Sequence, residues 1–258
     1  EHGTSDSNDS NDSSCVFAAK ILHKAMTTDK PTSAGKCNLG GGTFGKATIT
    51  QHLQSCWQKN AVPPAAGPKG NGATRKTYRL AIEGRYLPEY WLHLAIAADA
   101  TLADLDAFLR RIWLECCGHL SSFNIEKRSY DSAVSRGFED MGNESMKVAL
   151  EKILRPKMKF YHAYDFGTTT DLTLKVVSEQ PGGLKRRGLQ ILARNDPPAI
   201  LCTECGKNAT QVCGECIWSG GGWLCDKCAG QHECGEEMLL PVVNSPRVGM
   251  CGYTGPAS

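Results

Sequence analysis

The chain of 258 residues is 41% apolar and 22% charged, has a net charge of +2 and carries 13 cysteines. Those values describe one to two globular domains, with room for a real core and a small metal-held module. No run of about 18 apolar residues occurs, which excludes a transmembrane helix, and the apolar stretch at 15–22, broken by Lys20, is too short for a secretory h-region.

Seven of the cysteines crowd into residues 202–234, which fits metal ligation in a reducing cytoplasm better than a secreted disulfide scaffold. The chain begins at Glu1 and not at Met, as a fragment or a processed product would. Charge is unevenly spread. Residues 1–14 hold four acids and no Lys or Arg, whereas residues 15–75 hold eight basic residues against one acid. Only that second stretch has the cationic excess that favours a polyanion.

Residues 1–14 form a polar tail with nothing to bury, so disorder is expected there. A short helix at 15–26 would turn Val16, Ala19, Ile21 and Leu22 inward. From Cys37 the chain resembles a Cys/His zinc finger, with Phe44, Ile49 and then His52-Leu-Gln-Ser-Cys56. His52 and Cys56 lie four apart, on one helix face, as a shared metal requires. Gly40 stands where a second knuckle cysteine belongs. Residues 15–58 therefore read as a degenerate finger in which Cys37, His52 and Cys56 supply three ligands, with Cys15 or water left to complete the set.

Gly40 through Lys46 also fits the opening of a P-loop, but Ala47 replaces the hydroxyl residue and no apolar strand is expected ahead of the glycines. A chance match is the better account. The Pro- and Gly-rich stretch at 59–75 reads as a linker.

Tyr78, Leu80 and Ile82 alternate with polar or small residues, and Tyr90, Leu92, Leu94 and Ile96 do the same beyond Pro88. Both runs predict half-buried strands, joined as a hairpin. Thr101 and Asp104 form a capping-box pair ahead of Leu102, Leu105, Phe108, Leu109, Ile112 and Trp113, which share one helical face; Asp106 and Arg110 are expected on the exposed side. A short strand at 123–125, a polar loop at 129–145, strands at 159–166 and 171–177, and a last strand at 189–193 complete the expected central domain, residues 76–196.

The order strand, strand, helix and further strands resembles the plasmid pRi ORF-three family. The carrying residues are Y-R-L-A-I at 78–82, T-L-A-D-L at 101–105, G-H-L-S-S-F at 118–123 and Y-D-F-G at 164–167, with N-S-P-R-V-G-M-C-G-Y at 244–253 similar to the tail of zinc-bearing members. The resemblance implies an association with mobile elements, although no serine-recombinase signature accompanies it. Thr168, Thr170 and Leu172 stand where many relatives carry an acid, a Trp and a His.

The segment from Cys202 to Cys234 reads C-T-E-C, C-G-E-C, C-D-K-C and H-E-C. Eight donors in tetrahedral sets of four predict two zinc ions. The spacing suits a cross-brace in which Cys202, Cys205, Cys225 and Cys228 share one ion while Cys213, Cys216, His232 and Cys234 share the other. It resembles the B-box and related modules, although the short H-x-C ending departs from their closing pair and leaves Cys251 as a rival to Cys234. The main apolar residues of 202–234, Ile217, Trp218, Trp223 and Leu224, are too few for a core of their own, so metal is expected to supply the folding energy of the zinc module in residues 197–258.

No catalytic residue emerges. Asp165-Phe166-Gly167 reads as a strand end with a Gly turn. His93, His119 and His162 are isolated in sequence, and Cys116 and Cys117 read as buried thiols behind Trp113, unless they converge with His119 and Asp165. The reading is an α+β protein, with a central mixed sheet, one main helix and possible β-grasp character, followed by a small zinc module. Its function would be that of a cytoplasmic zinc-binding interaction or regulatory protein with a protein partner, touching nucleic acid weakly through residues 15–75. The alternative is an enzyme acting on nucleic acid with a catalytic central domain, which a pocket of perturbed titratable groups would favour.

Overall fold

The computed structural model describes residues 33–60, 76–133, 144–182 and 184–256. The expected tail at 1–14, the short helix at 15–26, the linker beyond residue 60 and residues 134–143 of the expected loop lie outside the described residues.

Apolar alternation in the central stretch produces one ten-stranded sheet. Its strands are Ala34–Cys37 (β1), Thr43–Gly45 (β2), Lys76–Gly84 (β3), Trp91–Ala97 (β4), Ser121–Ile125 (β5), Arg128–Asp131 (β6), Glu144–Ser145 (β7), Lys159–Tyr164 (β8), Thr170–Pro181 (β9) and Leu189–Asn195 (β10). They lie in the order β2-β1-β10-β4-β3-β9-β8-β5-β6-β7, antiparallel throughout except for β6 beside β7. The register stacks apolar pairs across the strands: Leu80 faces Leu94 and Val176, and Ile82 faces Leu92 and Leu174. Such pairs are the unit of sheet stabilisation. β6 and β7 occupy ground where the sequence suggested only a polar loop.

The finger-like segment is not a separate unit. Its strand β1 pairs with β10, Gly35 opposite Asn195 and Cys37 opposite Ala193. Its helix, Lys46–Asn60 (α1), buries Ile49, Leu53, Cys56 and Trp57 against Trp91, Ala95, Leu192 and Ala193. Those four helix positions form one stripe at helical spacing. β4 is therefore covered on both sides, which is why all seven of its residues are buried rather than alternating.

The opposite face holds the main core. Leu80, Leu92, Leu94, Leu172 and Leu174 pack there under Leu105, Leu109, Trp113 and Leu114. The helix Leu102–Leu109 (α2) starts on the expected capping box, with Asp104 N–H donating to Thr101 Oγ1 at 3.1 Å and Thr101 N–H to Asp104 at 2.8 Å. It then widens into a π-helical turn, Arg110–Leu114. Asp106 is not on an exposed face: it is 6% accessible, and its carboxylate accepts from Arg110 (2.7 Å), Ser121 (2.8 Å) and His162 Nε2 (2.8 Å).

In the C-terminal part Gln211–Cys213 (β11) lies between Trp223–Leu224 (β12) and Leu239–Pro241 (β13), with the short helix Asp226–Ala229 (α3) directly after β12. Val212, Ile217, Trp223, Val248 and Met250 belong to the main core. The module thus borrows apolar support from the central domain, while Trp218 remains exposed. The architecture is mixed α+β, dominated by a large sheet with few helices; the strand order does not establish a β-grasp.

Candidate metal centres

Each C-x-x-C pair sits on a turn that aims both thiols one way. At Cys202-Thr-Glu-Cys205 the chain folds back so that Gly206 N–H donates to Cys202 O, and Cys202 N–H to Lys207 O, with Gly206 at φ +71. Cys225 caps α3 and Cys228 lies on that helix. Sγ atoms of Cys202, Cys205, Cys225 and Cys228 all fall within 4.8 Å of one another, as do the donors of Cys213, Cys216, His232 and Cys234. Individual edges are Cys205–Cys225 at 3.6 Å, Cys216–Cys234 at 3.6 Å and Cys216–His232 Nε2 at 3.5 Å. A tetrahedron with metal–sulfur bonds of about 2.3 Å has edges of about 3.8 Å, whereas a disulfide holds its sulfurs at about 2.05 Å. The first pair is grouped with the third and the second with His232 and Cys234, so the cross-brace pairing is the one the geometry presents. Cys234, not Cys251, stands in the second set.

The thiols within each cluster affect one another's ionisation. Burial resists ionisation of Cys202, yet the backbone N–H groups of Cys225, Cys205 and Glu204 bring it down to about 6. In the same cluster Cys228 is pushed up to about 12 by burial and by its thiol neighbours. Cys213 is likewise drawn down to about 7 while Cys216 rises to about 12. One thiolate in each set suppresses ionisation of the next.

The finger cluster has three donors, Cys37, His52 and Cys56. Cys37 Sγ and Cys56 Sγ are 3.7 Å apart. His52 stacks on Phe44 with ring centroids 3.7 Å apart, and its Nε2 is buried without a hydrogen-bond partner among the described residues. A Cβ placed on Gly40 would lie 3.2 Å from Cys56 Sγ, so the fourth ligand of an ordinary finger is missing at the position it would occupy. Among the described residues the donor set supplies three ligands for a metal.

The P-loop resemblance fails on geometry. A short strand, β1, precedes the glycines, but its sequence Ala-Gly-Lys-Cys is not the apolar run that leads into a P-loop; β2 intervenes before the helix, and the Lys46 ammonium is engaged by Glu83 and by Pro88 O. His162 is fully buried on Asp106. His93 is also buried, its Nε2 3.4 Å from Thr50 Oγ1, and desolvation together with Arg79 and Lys46 lowers its pKa to about 4.

A fourth grouping brings together the Cys116, Cys117 and His119 whose convergence the sequence left open, and adds Cys251, which sequence reasoning did not place there. Cys116, Cys117, His119 and Cys251 have their donor atoms within 4.8 Å of one another. Cys117 is exposed, which corrects its reading as a buried thiol; Cys116 is half-buried against the core. Asp165 adjoins the cluster, 3.6 Å from His119 Nε2, at a strand end with φ +64 where Gly167 N–H and Thr168 Oγ1 donate to it. No spacing rule links donors more than 130 residues apart, so only the M-C-G-Y tail beside C-C-G-H could have hinted at it.

No protein-family model matches the chain, and no curated protein does. Among solved structures it is similar to a crystal structure of a protein of unknown function from Methanosarcina mazei Go1, at 16% identity and TM-score 0.40, over 52% of this chain and 76% of that one. The chain's cysteine and histidine clusters are of a kind that could hold metal ions; the likeness adds nothing on its role.

Proposed function

We propose that the protein is a zinc-binding interaction or regulatory protein, whose C-terminal cross-brace, held by two zinc ions, engages a protein partner. The observation that carries this reading is the interleaving of two donor sets in one segment, one of four cysteines and one of three cysteines with a histidine, each with tetrahedral edges. Sets of four protein donors leave no coordination site for water, which is the arrangement of structural and not catalytic zinc. Exposed Trp218, on the turn between Cys216 and Ser219, gives the module an apolar contact of the kind that anchors interfaces.

The central domain is read as that of the plasmid pRi ORF-three family, with an association with mobile elements. Its motifs sit at structural junctions: Y-R-L-A-I within β3, T-L-A-D-L at the start of α2, G-H-L-S-S-F running into β5 and Y-D-F-G at the end of β8. Nucleic acid is a secondary ligand, bound through phosphates by the basic segment. Lys46 from that segment, with Lys159, Lys175 and buried His93, lines a cleft of about 290 Å³ between α1 and the sheet. The same cleft favours the enzymatic alternative, because a titratable group shifted by burial sits inside it.

The test is a pull-down with the full chain and with Cys216→Ser and Cys228→Ser, identifying both proteins and nucleic acids. A specific protein captured by the parent and lost by both variants is expected. Equal capture by all three, or capture of nucleic acid alone, would overturn the reading.

A further inference from the structure

We propose that Cys116, Cys117, His119 and Cys251 form an additional structural metal site, for zinc or a similar divalent ion, that fastens the C-terminal tail to the end of the π-helical turn. The site does not depend on the cross-brace, with which it shares no ligand.

Three cysteines and one histidine are the donor composition of a closed zinc site. Cys116 Sγ and Cys117 Sγ are 3.5 Å apart, Cys117 Sγ and Cys251 Sγ 3.7 Å. Both match the 3.6 Å edges of the two cross-brace clusters and neither approaches a disulfide length. One imidazole nitrogen, His119 Nε2, faces both Cys117 Sγ (2.9 Å) and Cys251 Sγ (3.2 Å). The chain is shaped to bring these atoms together. The π-helical turn ends at Glu115 in extended conformation, Gly118 takes φ +78 and Cys251 takes φ +46 between Gly249 and Gly252, both also at positive φ. A non-glycine residue in the left-handed region carries a local cost that a ligand bond can offset.

The ligands are themselves held from behind. Arg247, completely buried, donates to Cys116 Sγ at 3.4 Å and to Asp165 Oδ2 at 2.7 Å, and its guanidinium lies 4.8 Å over the Tyr164 ring. Groups of this kind orient metal ligands.

Two other readings of the cluster are weaker. A Cys–His–Asp relay needs the thiol on one imidazole nitrogen and the carboxylate on the other; here Asp165 Oδ2, at 3.6 Å, faces the same Nε2 as the thiols. A Cys117–Cys251 disulfide would leave Cys116 and His119 without a role in the grouping.

The experiment compares metal content of reduced, full-length protein with that of Cys251→Ser and His119→Ala by native mass spectrometry, alongside Cys228→Ser as a cross-brace control. Each of the first two variants should lose one ion relative to the parent, and Cys228→Ser should lose a different one, so that combining it with Cys251→Ser removes two. Amide exchange in residues 244–256 should quicken in Cys251→Ser and, equally, in His119→Ala, which leaves the tail sequence intact. Unchanged metal content in both variants would overturn the proposal, whatever the cross-brace control shows. So would a Cys117–Cys251 disulfide in peptide maps of protein prepared without reductant, if metal content were the same with and without it.

Discussion

Arg247 is fully enclosed and holds its place by charge, donating to Asp165, to Thr170 Oγ1 at 3.0 Å and to Thr168 O at 3.1 Å. Burial alone would raise the Asp165 carboxyl, but Thr168, Arg247 and Gly167 override it and hold it well below the usual carboxylate range. Arg247→Met leaves that carboxylate buried without its cation, at a cost of about 3–5 kcal/mol, to be read as a lowered urea midpoint. Asp106 gives a pH signature. Desolvation opposes its charge, while His162, Arg110 and Ser121 lower its pKa overall. A carboxyl lowered in the folded state contributes stability fully above its unfolded value of about 3.9, and that contribution fades as pH falls through the folded value. The stability gap between the parent and Asp106→Asn should therefore narrow from pH 6 toward pH 3, read by denaturant titration at each pH; a constant gap would remove Asp106 as the source. The capping box at Thr101 was legible in the sequence because its partners are three residues apart. The Asp106 network was not, since Ser121 and His162 reach it from β5 and β8, and the exposed i,i+4 pair with Arg110 was the wrong surface for it.

At the level of elements, β3, β4, β8, β9 and β10 could be read from alternating residues, yet their neighbours could not. Alternation predicts a half-buried β4; the tertiary packing of α1 covers its other face, and nothing in the Trp91–Ala97 sequence announces a helix from far upstream. The attachment of that helix depends on one close approach. A Cβ on Gly35 would lie 2.2 Å from Arg194 O, an overlap with backbone that no side-chain motion relieves. Gly35→Ala should break β1–β10 pairing and raise exchange of amides in α1 and β1 while leaving β3–β9 protected. Truncation to Lys76 should likewise expose Trp91, Ala95 and Leu192 and promote aggregation, so loss of nucleic-acid binding in such a fragment would need the Gly35→Ala protein as a comparison. Normal protection of α1 in Gly35→Ala would show that the pairing does not hold the finger.

For the whole molecule, the zinc module, the central sheet and the finger are joined through two cores rather than strung along linkers. The repeated C-x-x-C pairs of residues 202–234 are local and visible in the sequence, as is the segment's low apolar content. The sequence could not show that Val212, Ile217 and Trp223 complete the core beneath Trp113. Chelation should consequently do more than unfold the tail end: near-ultraviolet circular dichroism should report loosening around the tryptophans, while β3, β4 and β9 keep their amide protection. Loss of protection across the whole sheet would mean that metal holds the central domain as well, and no change anywhere would mean that the clusters stand without it.

The central claim, that two interleaved donor sets each hold one zinc ion, is tested most directly by counting metal on the intact, reduced chain. Native mass spectrometry is predicted to show one ion lost in Cys228→Ser, one lost in Cys216→Ser and two lost in the double variant. A parent chain with fewer than two ions, or single variants that keep the parent's full count, would contradict it.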